Sequence, residues 1–202
     1  TLPVGAANDI VLDDASSDFN TVLIVSANDA EITETNALAL GASNVSNDLT
    51  IDTDGDLTDS GTLVVAGTTT LTAGAANDIV LDDASSDFNT VSIVSANDVD
   101  MTDVDEIDLG AATVSNDLTI TAGGDISNSD ALAVSGDSVF SAASGSSIAV
   151  DNAANDFSGA VSFLPVSGQL QDVSVTDVTD FTELISGNQS QISAVSYTHL
   201  TL

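Results

Sequence analysis

The eighteen residues GAANDIVLDDASSDFNTV occur twice, at 5–22 and again unchanged at 74–91. A verbatim return this long restricts the fold more than any other feature. A chain that repeats its letters repeats its contacts, and stacked repeats bury a continuous core by meeting only their neighbours. The match runs on without a gap through IVSAND (24–29 and 93–98) and VSNDLTI (45–51 and 114–120). A third, looser copy starts near Ala143, where Ile148, Val150 and Phe157 follow Ile79, Leu81 and Phe88 at the spacing by which these follow Ile10, Leu12 and Phe19. The repeats run 5–73, 74–142 and, in part, 143–163. They form one unit over 1–163, followed by a degenerate continuation or cap at 164–196 and a tail at 197–202 read as non-native.

Within a repeat, short apolar alternations such as Ile10/Leu12, Leu38/Leu40 and Leu49/Ile51 are separated by Asn-Asp or Gly. Period two over four to six residues is the signature of short strands. No helical stripe occurs, and the density of Asp, Asn, Gly, Thr and Ser disfavours helix throughout. The repeat divides into three rungs of about 23 residues with three strands each, the geometry of a parallel β-helix; tandem β-sandwich domains are the alternative. Sandwiches of the immunoglobulin kind need about 100 residues, well beyond the span 5–73, and this chain has neither Trp nor Cys. Ile10, Leu12, Phe19 and Val22 are assigned to the core, and Asn8, Asp9, Asp13, Asp14 and Asp18 to the turns. Recurring Asn at 8, 28, 47, 77, 97 and 116 suits solenoid corners, since Asn tolerates left-handed backbone and bonds its own neighbours.

Charge narrows the function. The 202 residues include 32 Asp and Glu and no Lys or Arg. Nucleic acid and anionic membranes are excluded as partners, because phosphate recognition needs basic side chains. No apolar run approaches the roughly 18–20 residues that span a bilayer, so no membrane insertion is expected.

Stretches such as GTLVVAGTTTLTAGAANDIVLDDASSDFNTVSI resemble the strand repeats of filamentous-haemagglutinin-like exoproteins, the bacterial surface adhesins exported by two-partner secretion or autotransport. The resemblance implies a right-handed β-helical shaft, an extracellular or cell-surface location, and no catalytic residues. It also implies a cell-surface or matrix receptor bound through regions outside these residues.

Individual residues give little chemistry. Asp13-Asp14 and Asp82-Asp83 have the residue types of a glycosidase pair, but neighbours on a strand point to opposite faces, and an active site is built once rather than repeated. Asp52, Asp54 and Asp56 in DTDGDL are spaced like the opening of a calcium loop, yet Leu63 stands where the bidentate Glu belongs. They are the metal candidates, with calcium held loosely along the acidic turns. No catalytic and no cofactor-binding residue is assigned, and His199 has no partner for either role. The expected function is a non-enzymatic adhesin shaft. Two alternatives are a secreted polysaccharide-active β-helix enzyme and a calcium-dependent structural module.

Overall fold

The computed structural model describes residues 2–178, 183–186 and 189–197. Alternation sets each strand. Leu49, Ile51 and Thr53 point inward along Leu49–Thr53 while Thr50 and Asp52 point out. The polar pair Asn47-Asp48 ahead of it turns the chain, and its side chains bond the neighbouring turns: Asn47 the Asp29 carboxylate below and Asp48 the Thr68 N–H above. No helix occurs among the described residues.

Every described strand pairing is parallel, and the pairings form a coil with three faces. Face 1 stacks Thr21 under Ala39, then Leu38, Leu57, Ile79, Val99, Leu118, Ser138, Val161 and Leu184 in succession. The step from one partner to the next ranges from that of Thr21 to Ala39 to that of Ser138 to Val161, and it is the length of one turn. Face 2 carries 24–26, 43–45, 63–65 and 87–91 and continues through 107–109, 126–128, 148–150 and 173–175. Face 3 carries 10–12, 30–34, 49–53 and 69–72, then 93–96, 112–114, 132–134 and 156–157. The strands Leu63–Thr72, Asp87–Ala96 and Ile107–Val114 run around the corner between faces 2 and 3 and join them into one sheet. At about 4.8 Å per turn, the eight steps of face 1 span roughly 38 Å.

The register corrects the division of the repeat. Ile10 lies on face 3, paired with Ala30. Ile79, its equivalent, lies on face 1 between Leu57 and Val99. Ile148 lies on face 2 between Ile126 and Val173. From Ile10 the ladder climbs three turns through Ala30, Leu49 and Thr69, and the chain then advances one more face to reach Ile79. One repeat is therefore three and a third turns, not three. Ten strand segments fill a repeat, one or two more than alternation reveals. The FNTVLIVS run breaks between Val22 and Ile24 at a corner without a turn residue, and Ser43–Val45 hides behind a polar inward residue. Ser43 is buried because its hydroxyl accepts from Ile24 N–H (3.1 Å) and donates to the Gly41 carbonyl (2.8 Å).

The core is one column of Leu, Ile and Val that gives way to Phe toward the C-terminal turns. Phe140 and Phe163, register partners on face 1, stack with centroids 5.8 Å apart, and Phe157 meets Phe140 edge-on at 6.1 Å. Ile10 and Val22 are buried, whereas Leu12 and Phe19 are only partly so, because no turn lies beneath the first one; their equivalents Leu81 and Phe88 are fully buried. Two core hydroxyls, Thr69 Oγ1 and Ser138 Oγ, occupy equivalent repeat positions and have no hydrogen-bond partner. An orphaned buried hydroxyl costs about 1–3 kcal/mol relative to an apolar group of the same shape. Thr69→Val and Ser138→Ala should each raise the unfolding free energy by about 1 kcal/mol, read from urea melts at constant slope.

Candidate functional site

The chemistry-bearing side chains lie at the corners, and the coil stacks them. On the corner entering face 3, Asp9 Oδ1 accepts from Asn28 Nδ2 (3.0 Å) and Asp29 N–H (3.2 Å) of the turn above. Asp29 Oδ1 accepts in the same way from Asn47 Nδ2 (2.6 Å) and Asp48 N–H (3.0 Å), and Asp48 Oδ1 from Thr68 N–H (2.8 Å). One repeat later the ladder moves to the corner entering face 1. There Asp56, Asp78, Asp98, Asp117 and Asp137 each accept the backbone N–H of the next turn at 2.8–3.2 Å. Asn8 and Asn77 do bond near neighbours, the carbonyls of Val4 and Ala73. The other four corner Asn residues reach the turn below, and Asn28 and Asn97 also bond the adjacent Asp29 and Asp98. Gly5, Gly74 and Gly145 have left-handed backbone, each with φ of 87°. Carboxylate acceptors for backbone N–H are strong because one partner is charged. Asp98→Ala should cost about 0.5–1.5 kcal/mol in urea unfolding by removing the acceptor of the exposed Asp117 N–H and Asn116 amide. Asp98→Asn, which keeps an oxygen there, should lose much less.

Sequence reasoning missed a second set of acids. Glu34, Asp103 and Asp177 are buried at 2%, 2% and 1% exposure. Each accepts the backbone N–H of a repeat-equivalent phenylalanine: Phe19 to Glu34, Phe88 to Asp103 at 2.6 Å, and Phe157 to Asp177 at 3.0 Å. Asp103 also takes Asp105 N–H at 2.9 Å. Burial, outweighing these hydrogen bonds, pushes the Asp103 carboxyl up to about 6. The signal was in the alternation, since 30/32/34, 99/101/103 and 173/175/177 share one inward parity. Ser86 and Asn155, also buried, are a third equivalent set; their side-chain oxygens accept Leu63 N–H (3.0 Å) and Leu132 N–H (2.9 Å).

The acid pairs lie on surface loops. Asp14 Oδ1 accepts from the Ser16 hydroxyl (2.7 Å) and Ser16 N–H (2.9 Å), which hold its carboxyl below the usual value. Asp83 does the same for Ser85 N–H (2.9 Å), and Asp13 and Asp82 are exposed beside them. The loops leave the coil at different corners, since each follows a strand on a different face. Asp52, Asp54 and Asp56 are all exposed, Asp52 on face 3 and Asp56 committed to Asp78 N–H at 3.0 Å. Among the described residues no group of three His, Cys, Asp or Glu side chains is arranged to hold a metal ion. Two shallow grooves follow the corners. The larger, about 590 Å³, includes Asn89, Glu106, Asp108, Asp125 and Ser127 in its wall; the smaller, about 300 Å³, runs past Asp9, Asp29, Asp48 and Glu31. Both walls are acidic. Residues 198–202 of the tail, with His199, lie outside the described residues.

No curated protein and no solved structure matches the chain. The family of repeats of unknown function DUF5649 matches it twice, over 27–95 and 96–164. The matches start at the equivalent residues Ala27 and Ala96, so each is as long as the internal repeat, though phased later than the verbatim copies that start at Gly5 and Gly74. The two matches together cover more than half of the sequence, so the chain belongs to the DUF5649 repeat family.

Proposed function

We propose that the chain is a non-enzymatic spacer, the shaft of a secreted or surface-anchored bacterial adhesin of the filamentous-haemagglutinin-like kind, holding a binding region away from the cell. The supporting observation is the change of face between repeats. Ile10, Ile79 and Ile148 serve the same packing role on three different faces, so the repeat prescribes length and leaves no side of the coil distinguished. An enzyme or receptor site needs one set of groups fixed in one place, whereas a spacer needs only its contacts renewed at each turn. The dense negative charge suits an extracellular rod, since like-charged rods repel and stay apart.

Display of the chain on a bacterial surface, with a small binding module fused at its far end, tests the reading. Attachment to the module's target should vary with the number of repeats. It should be indifferent to Asp13→Asn/Asp14→Asn and Asp82→Asn/Asp83→Asn. Attachment or polysaccharide cleavage by the chain without the module, abolished by those substitutions, would overturn it.

A further inference from the structure

DTDGDL contains the one Asp-Gly step of the chain, Asp54–Gly55, and the second repeat has Gly123–Gly124 at these positions. The two corners can therefore be compared atom by atom. Asp54 N–H donates to the Glu34 carbonyl at 3.0 Å, as Gly123 N–H does to the Asp103 carbonyl at 3.0 Å. One residue later they part. Gly124 N–H donates to the Asp105 carbonyl at 2.7 Å, whereas Gly55 N–H meets no acceptor among the described residues. The Asp54 carboxylate is exposed and accepts no hydrogen bond from them, unlike those of Asp48, Asp56 and Asp59, each of which takes a backbone N–H of the next turn. Gly55 itself is obligatory, since a Cβ there would run into the backbone of Asn36 and Ala37.

We propose that Asp54–Gly55 is a self-modification site, at which the folded chain rearranges to an isoaspartyl link without an enzyme. The Gly55 nitrogen attacks Asp54 Cγ, and the new C–N bond closes a five-membered succinimide. The carboxyl hydroxyl leaves as water with the proton from Gly55 N–H. Water then adds back to one of the two ring carbonyls. Opening at Cγ restores aspartate, whereas opening at the main-chain carbonyl leaves Asp54 joined to Gly55 through its side chain. No oxidant or co-reactant is consumed. The nitrogen is free to attack, the carboxyl is free to turn, and no Cβ shields the nucleophile. Asp59–Ser60 is the contrast: Ser60 N–H is held by the Leu40 carbonyl at 2.7 Å and the Asp59 carboxylate by Asp83 N–H at 3.2 Å. The isoaspartyl link lengthens the main chain by one bond of about 1.5 Å. It does so at a glycine already against Ala37, and next to Asp56, whose carboxylate holds Asp78 N–H at 3.0 Å. The corner of the first repeat thus ages in a way that Gly123–Gly124 cannot, whether or not the chain is a spacer.

Peptide mapping by mass spectrometry, on the whole chain incubated for weeks at mildly acidic pH, tests the site. Asp54 should lose the mass of one water and then reappear as isoaspartate, on the order of tenfold faster than Asp59 reacts, because glycine leaves the attacking nitrogen unshielded. Asp54→Gly copies the corner that the second repeat already folds with, and its product should stay homogeneous at this position. Asp54→Asn should reach the same succinimide faster, releasing ammonia in place of water. In urea, Asp59 should accelerate markedly while Asp54 gains little, since the fold restrains only the former. Conversion of Asp54 no faster than that of Asp59 in the folded chain would overturn the proposal. So would an equal acceleration of both on unfolding, or Asp54→Asn reacting no faster than Asp54.

Discussion

Deleting residues 74–142 is expected to leave a folded coil about 16 Å shorter, with everything beyond the junction turned by one face. The loss is three and a third turns at about 4.8 Å each. The new Ala73–Ala143 junction keeps the repeat in phase, so the third repeat meets the first as the second does now. Ile148 then takes the place of Ile79 above Leu57, and Ala149 takes that of Val80 above Thr58. In the full chain Ala149 lies on face 2, far above Thr58 on face 1. The chain has no cysteine of its own, so Thr58→Cys with Ala149→Cys should form a disulfide only in the deleted chain. Adjacent strands bring Cα atoms within the roughly 4.4–6.8 Å that a disulfide requires. Removing about 35 residues instead joins strands of unlike inward pattern, exposes apolar side chains and should cause aggregation. Circular dichroism and small-angle scattering read both outcomes. Collapse of the repeat-length deletion, or a folded product without the cross-link, would refute the screw of one third of a turn per repeat.

Lowering the pH from 8 to 5 should raise the melting temperature, as should raising NaCl from 0.05 to 1 M. Burial first, and like charges second, raise the carboxyls of Asp87, Asp100 and Asp103; Asp59 is also raised, chiefly by burial. For Asp103 the folded value of about 6 stands above the unfolded 3.8. Between those values the folded state holds a proton that the unfolded state has released. Its contribution is therefore complete below about pH 4 and lost as the pH rises through about 6. Asp14 is shifted the opposite way, but it is exposed and one against four. Salt acts on the same repulsion, because the Debye length shrinks from about 10 Å at 0.1 M to about 3 Å at 1 M. With 32 acids and no Lys or Arg, screening removes far more repulsion than attraction. Asp103→Asn removes the titrating carboxyl and should flatten the dependence of the melting temperature between pH 6 and 4. A melting temperature flat in both salt and pH would show that the corner hydrogen bonds already offset the charge.

The Asn-Asp corners were legible as turns, but their ladder was not. Asn28 and Asp9 are nineteen positions apart, and only the height of one turn brings Asn28 Nδ2 within 3.0 Å of Asp9 Oδ1. The buried acids were half legible. Parity places Glu34 inside, yet the group that makes burial tolerable, Phe19 N–H, belongs to the previous turn. DTDGDL was read for a spacing that the coil does not convert into proximity, since Asp52 stays on face 3 and Asp56 turns toward Asp78.

What the sequence determined by itself was the class of fold: strands, because small and branched apolar residues alternate with period two, and a coil, because a whole stretch of letters at 5–22 recurs at 74–91. What only the tertiary structure decided was the number of strands per repeat and the face each one occupies. The chain turns at Leu23 without Gly, Pro or Asn and fills an inward position with Ser43, so neither the corner nor the strand leaves a local mark. Local chemistry specifies where a strand begins, whereas pairing with the turn below specifies how many strands complete a circuit. Ten segments on a three-sided coil give three and a third turns, and that remainder carries each repeat to the next face.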